Sequence, residues 1–117
     1  LMNILKLEKN GEIICDYIED ASTFVRRFMG LMYRKSLPEN HGLLLTPCNE
    51  IHTFGMRFDI DTVAISKDGE VLFIDRAVRP HKVRKKVAGC YCILELNAGY
   101  ADFLGIEVGD ILHFIQK

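Results

Sequence analysis

Cys48 and His52 stand four residues apart inside the segment Cys48-Asn49-Glu50-Ile51-His52-Thr53-Phe54-Gly55-Met56-Arg57-Phe58-Asp59-Ile60-Asp61. The segment gathers a thiol, an imidazole, a hydroxyl, a guanidinium and three carboxylates among bulky apolar residues. A purely structural strand has no use for so many polar head groups, so this is the first place to look for a site. A thiol beside an imidazole can form a nucleophilic thiolate–imidazolium pair, the basis of a hydrolase-like reading. The spacing argues against it. In an extended chain a separation of four returns a side chain to the same face roughly 13 Å further on, and Pro47 disfavours a helix here. The bland alternative is a small buried thiol plus a histidine holding a loop carbonyl.

Metal ligation is a second possibility. Cys90 and Cys92 share a face of a strand, and with Cys48 and His52 they would make a Cys₃His zinc set. Their C-x-C spacing is poorer than C-x₂₋₄-C, and unliganded cysteines are often buried. No metal ligand and no tightly bound organic cofactor are assigned. The carboxylates are a third. Asp61 and Glu95 lie among apolar residues, where a carboxylate needs a partner. Arg27, Arg34, Arg57 and Arg79 are the available cations. The result is either a polar core network or a pocket with Glu95 as an acid or base. Last, Arg76, Arg79, Lys82, Arg84, Lys85 and Lys86 fall within eleven residues containing no acid. Such a run suits phosphates or nucleic acid, but it lacks interleaved aromatics for base stacking, and a solvated loop is the plainer reading.

The elements that must position these groups are mostly strands. Residues 3–8 and 12–19 flank Asn10-Gly11, a hairpin signal. Phe24, Val25, Phe28, Leu31 and Met32 recur at helical spacing after the capping residues Asp20-Ala21-Ser22, which predicts a helix over 22–32. Strands are expected at 43–45, 53–57 and 60–66. Lys67-Asp68-Gly69-Glu70 then turns into a return strand at 71–74. A basic connection covers 76–86, a strand 90–96, a helical turn 97–104, and a last strand 111–115. In an extended 53–57 strand, Thr53 and Arg57 share one face and Phe54, Met56 and Phe58 the other. The pattern predicts a mainly β fold, a sandwich or barrel, with one flanking α-helix and a short C-terminal helical turn.

The bulk properties agree. A chain of 117 residues that is 49% hydrophobic and 26% charged suits one domain, residues 1–117, with an adequate core. Its net charge of −1 gives no global pull toward nucleic acid or anionic membrane. No apolar run reaches membrane-spanning length, and no secretory leader is evident. Met2 reads as the native start. The four cysteines read as reduced thiols in a cytoplasmic protein.

Taken in order, these pieces resemble a prokaryotic family, domain of unknown function 192. They are Arg27 with Gly30-Leu31-Met32 and Arg34, and Gly42-Leu43-Leu44-Leu45. Ile51-His52-Thr53-Phe54, Met56-Arg57-Phe58 and Ile60-Asp61 follow, then Asp68-Gly69-Glu70-Val71 and Arg79-Pro80. Leu94-Glu95-Leu96 with Gly99, Gly105-Ile106 and Gly109-Asp110 complete the set, spanning about residues 24–112. The resemblance implies a small, mostly β domain of jelly-roll-like or barrel architecture and no known activity. Asp59 stands where the family often has Pro, and His81 where many relatives have an aromatic after the Pro.

The expected function is a binding or accessory module for a small polar or anionic ligand or a partner peptide. Its expected site residues are His52, Thr53, Met56, Arg57, Asp61, Arg79 and Glu95. A hydrolase using Cys48 and His52, possibly metal-assisted, and a structural or oligomer-forming domain are the alternatives. Oligomeric state is left open by the sequence.

Overall fold

Asn10 and Gly11 both take left-handed backbone angles, φ 53° and 79°, and fold strand β1 (Ile4–Lys9) back against β2 (Glu12–Ala21). That is the turn the Asn-Gly pair predicts, because its twist matches that of the flanking strands. The structure, a computed structural model, describes residues 3–32 and 34–117, with backbone alone at Phe24 and Val25. The expected start at Met2 lies outside the described residues, as do the side chains of Phe24 and Val25.

From β2 the chain crosses through helix α1 (Phe24–Met29) to β3 (His41–Leu45), which pairs with β2 in parallel. A parallel pair needs such a crossover. The helix is shorter than the predicted 22–32. The Thr23 side chain accepts from Arg26 N at 3.2 Å at one end, and Gly30, at φ 49°, stops it at the other. Strands β4 (Ile60–Ser66), β5 (Val71–Val78) and β6 (Cys90–Asn97) follow, then helix α2 (Tyr100–Phe103) and β7 (Leu112–Gln116). The sheet order is β5-β4-β6-β3-β2-β1-β7, and every neighbouring pair except β2–β3 is antiparallel.

The fold is mainly β, as the alternating and continuous apolar runs predict. It is a single seven-stranded sheet rather than a closed barrel. Its two edge strands approach at one end, through a bridge between Glu70 and Ile111 and bonds such as Leu112 N to Gly69 O at 2.8 Å.

Both faces of the central strands are covered. On β4, Val63 and Ile65 join one apolar cluster with Leu7, Ile18, Leu44, Leu94, Leu96 and Ile106. Ile60 joins a second with Leu31, Leu43, Leu45, Ile51, Met56 and Ile93. Successive side chains alternate between faces, so strands buried on both sides read as unbroken apolar runs. Gly42 permits the closest approach in the first cluster. A Cβ there would meet Ile18 Cδ1 at 2.8 Å and Leu96 Cδ2 at 2.9 Å.

The expected strand at 53–57 is not formed. Residues 53–56 make a turn closed by Met56 N donating to Thr53 O at 3.2 Å, with Gly55 at φ 76°. A glycine with positive φ at the third position favours a type II turn over extension. The face assignments based on extension change with it. Thr53 and Met56 are buried, whereas Phe54 and Arg57 are exposed.

Candidate functional site

Residues 49–53 pair with the basic connection rather than with the main sheet. Thr53 N donates to Lys82 O at 2.7 Å, Arg84 N to Ile51 O at 3.0 Å and Val87 N to Asn49 O at 3.1 Å, with an antiparallel bridge between His52 and Val83. The Thr53 hydroxyl fixes the arrangement: it donates to Arg79 O at 2.7 Å and accepts from Lys82 N at 2.7 Å. This stitched pair of loops lies over the second sheet face together with α1. Between the loops and the helix end is a small pocket of about 50 Å³. Arg27, Phe28, Gly30, Met32, Cys48, His52, Met56 and Glu95 are among its lining residues.

Glu95 is the most unusual of these groups. It is 2% exposed, and its Oε1 has no hydrogen-bond partner among the described residues. Burial pushes its carboxyl up to about 7, and the nearby Arg34 guanidinium only partly offsets this. Arg34 is itself committed to Glu19, holding both carboxylate oxygens at 2.7 and 2.8 Å. Gly30 makes room in front of the carboxyl, since a Cβ there would stand 3.4 Å from Oε1 and its φ of 49° disfavours a side chain. His52 Nδ1 is likewise buried and unpartnered. The His52 ring lies 6.2 Å from that of Phe28 and 5.6 Å from that of Phe54, and Phe54 in turn lies 6.5 Å from His81. A row of rings, with Phe28, Phe54 and His81 exposed and His52 half-buried, thus edges the pocket, and His81 keeps a ring at the position where many relatives have an aromatic.

Among the expected site residues, His52, Met56 and Glu95 meet in this pocket. Thr53 and Asp61 are buried in structural bonding instead. The Asp61 carboxylate accepts from Ala77 N at 3.0 Å, Gly99 N at 3.0 Å and Ala101 N at 3.1 Å, which secures the start of α2 from a strand far away in the chain. Arg57 and Arg79 are exposed and outside the pocket lining. Of the guanidiniums expected to pair with Asp61 and Glu95, Arg34 is bonded to Glu19 and acts on Glu95 only through its charge, and Arg27 Nη1 donates to Ser22 O at 2.7 Å. Sequence reasoning missed Phe28 and Gly30 as pocket residues. The Gly30-Leu31-Met32 piece was the available signal, but not its apposition to Glu95.

Cys48 and His52 both line the pocket. They do not form a proton relay. The Cys48 thiol donates to Glu50 O at 3.1 Å, and burial raises it to about 11, so thiolate is scarce at neutral pH. Cys90 Sγ lies 3.4 Å from Cys48 O and 3.3 Å from Cys92 O. No group of three or more His, Cys, Asp or Glu side chains among the described residues is placed to hold a metal, so the Cys₃His set is not assembled. All four cysteines are free thiols. No helix among the described residues is long and apolar enough to cross a membrane.

A family model described as "Uncharacterized ACR", for domain of unknown function 192, matches residues 5–114. A UPF0127 protein of Thermococcus sibiricus is 31% identical over 106 residues, covering 86% of this chain and 67% of that protein. A crystal structure of a protein of unknown function from Novosphingobium aromaticivorans superposes with a TM-score of 0.82 at 21% identity, over 96% of this chain and 84% of that one. Another, from Sinorhizobium meliloti, whose description proposes a transcription regulator, gives 0.80 at 25% identity over 97% and 94%.

Proposed function

The chain belongs to the domain of unknown function 192 family, an uncharacterised family of small domains, and from that premise we propose that it is a binding module whose Glu95 pocket takes the ammonium head group of a small ligand or partner peptide. The observation that carries this reading is the buried, unpartnered Glu95 Oε1 facing a cavity. Arg34 compensates the desolvated Glu95 carboxyl only in part, and a bound cation with several N–H donors supplies both further charge and hydrogen bonds. His52 Nδ1 offers a second acceptor in the appropriate tautomer. Phe28 and Phe54 at the edge add ring faces, which attract cations. The volume of about 50 Å³ suits a head group rather than a whole metabolite. Arg57 and Arg79 lie outside the lining, and Arg27, which is part of it, turns Nη1 to Ser22 O at 2.7 Å.

The test is titration of ¹⁵N-labelled protein with n-butylammonium, with 1-butanol as the neutral control. Amides of 30–32, 52 and 56 are expected to shift. A carboxyl titrating at about 7 goes from mostly protonated to mostly ionised between pH 6 and pH 8, so affinity is expected to rise roughly tenfold across that interval. Glu95→Gln abolishes the gain. Equal binding of amine and alcohol, or an unchanged Glu95→Gln titration, overturns the reading.

A further inference from the structure

A second, larger cavity lies on the same sheet face, on the other side of the 49–51 strand of loop. It is an open groove of about 460 Å³, within the range of small-molecule sites. Its floor is apolar and shallow-sided because the strands carry small residues there. Thr62 and Ala64 on β4 stand beside Ile93 of β6, and Ala64 is paired across the ladder with Phe73 of β5. Between the Ala64–Phe73 and Ile65–Val71 pairs the register shifts, so Leu72 is the extra residue on β5. Leu72 and Phe73 consequently both line the groove. Phe73 is 50% exposed there, an apolar ring with one side uncovered.

The rim is basic. Arg84, Lys85 and Lys86 come from the connection that reads in sequence as a solvated run, but the Arg84 N and Val87 N bonds to Ile51 O and Asn49 O hold it against the groove. Neither Lys85 nor Lys86 is in an ion pair among the described residues. Arg84 Nε is ion-paired with Asp75 Oδ2 at 2.7 Å, which holds its guanidinium at the groove. A guanidinium fixed by Asp75 and two ammonium groups with no ion pair among the described residues therefore line one apolar trough.

We propose that this groove binds a small amphipathic carboxylate, its apolar body on Ala64, Phe73, Val87 and Ile93 and its carboxylate at Lys85 and Lys86, beside the Asp75-paired Arg84. A carboxylate fits better than a phosphate dianion, because Asp75 and Glu50 also line the groove and oppose a second negative charge. This site does not depend on the Glu95 pocket; the two share only Glu50 and Ile51 of the intervening loop.

The probe is octanoate, titrated into ¹⁵N-labelled protein at neutral pH with 1-octanol as the uncharged control. Amides of Ala64, Phe73 and Val87 are expected to shift with octanoate and far less with octanol. The paired surface substitution Lys85→Glu, Lys86→Glu is expected to weaken octanoate roughly five- to tenfold and to lose most of that difference in high salt. Ala64→Phe, which fills the floor, is expected to abolish binding; a melt that shows it unfolded leaves the lysine variant to decide. Equal shifts with octanol, unchanged affinity in the lysine variant, or shifts confined to 30–32 and 52 overturn the proposal.

Discussion

Asp61 and Glu95 are buried carboxyl residues one register step apart on neighbouring strands, and they face opposite sides of the sheet. Asp61 pairs across the ladder with Leu96, and Thr62 with Glu95, so alternation sends the two carboxyls apart. On its side Asp61 accepts three backbone N–H bonds; on the other, Glu95 Oε1 accepts none. The same residue chemistry thus serves an internal cap in one case and an open pocket in the other.

The Glu95 environment makes stability depend on pH. The folded value of about 7 lies above the ordinary 4.5, so the folded state holds the proton more tightly. Stability is then greatest below about pH 4.5 and falls as pH rises through about 7, by roughly 3 kcal/mol in full. Glu95→Gln is expected to match the parent near pH 4 and to exceed it by roughly 1–3 kcal/mol at pH 8. Urea unfolding at the two pH values reads this directly, and identical differences at both would refute it.

Asp61 carries the opposite expectation. Asp61→Asn keeps the volume but presents an NH₂ group to at least one of the Ala77, Gly99 and Ala101 amides. It is expected to cost roughly 2–4 kcal/mol, since buried donors to a charged acceptor are left unmade. Faster amide hydrogen exchange at Gly99 and Ala101 would accompany the loss. A variant with parental stability would remove Asp61 from this structural role.

Thr53 ties the 49–56 loop to the basic connection. Thr53→Val is close to isosteric and leaves Lys82 N and Arg79 O without the hydroxyl. The expected cost is roughly 1–3 kcal/mol. Exchange should quicken first at Lys82 and Arg84, whose amides bond to this loop. Protection unchanged at those amides would show that the main-chain pairing alone holds the loops.

The hairpin at Asn10-Gly11, the turn at Asp68-Gly69, strand β4 and strand β6 were legible in the sequence to within a residue or so, because turn chemistry and apolar continuity are local. Local rules misread 53–57, where β-prone residues surround Gly55. The glycine's positive φ and the Thr53 bonds to a partner 26 and 29 residues away override the tendency to extend. The sequence also singled out Cys48–Asp61 and Glu95, since polar groups are costly among buried apolar neighbours wherever they occur. It left Asp61 and Glu95 as members of a polar core network or a pocket, and it read the 76–86 run as solvated loop.

By itself, then, the sequence determined most of the strands, the family and which polar residues needed an explanation, all consequences of residue type and short-range spacing. Only the tertiary structure decided which of them meet. Gly30 comes to lie before Glu95 through a crossover helix and a ladder between β3 and β6, and Arg84 reaches the floor formed by Ala64 through loop pairing with Ile51. Such contacts are set by strand order and register across dozens of residues, which no local pattern encodes.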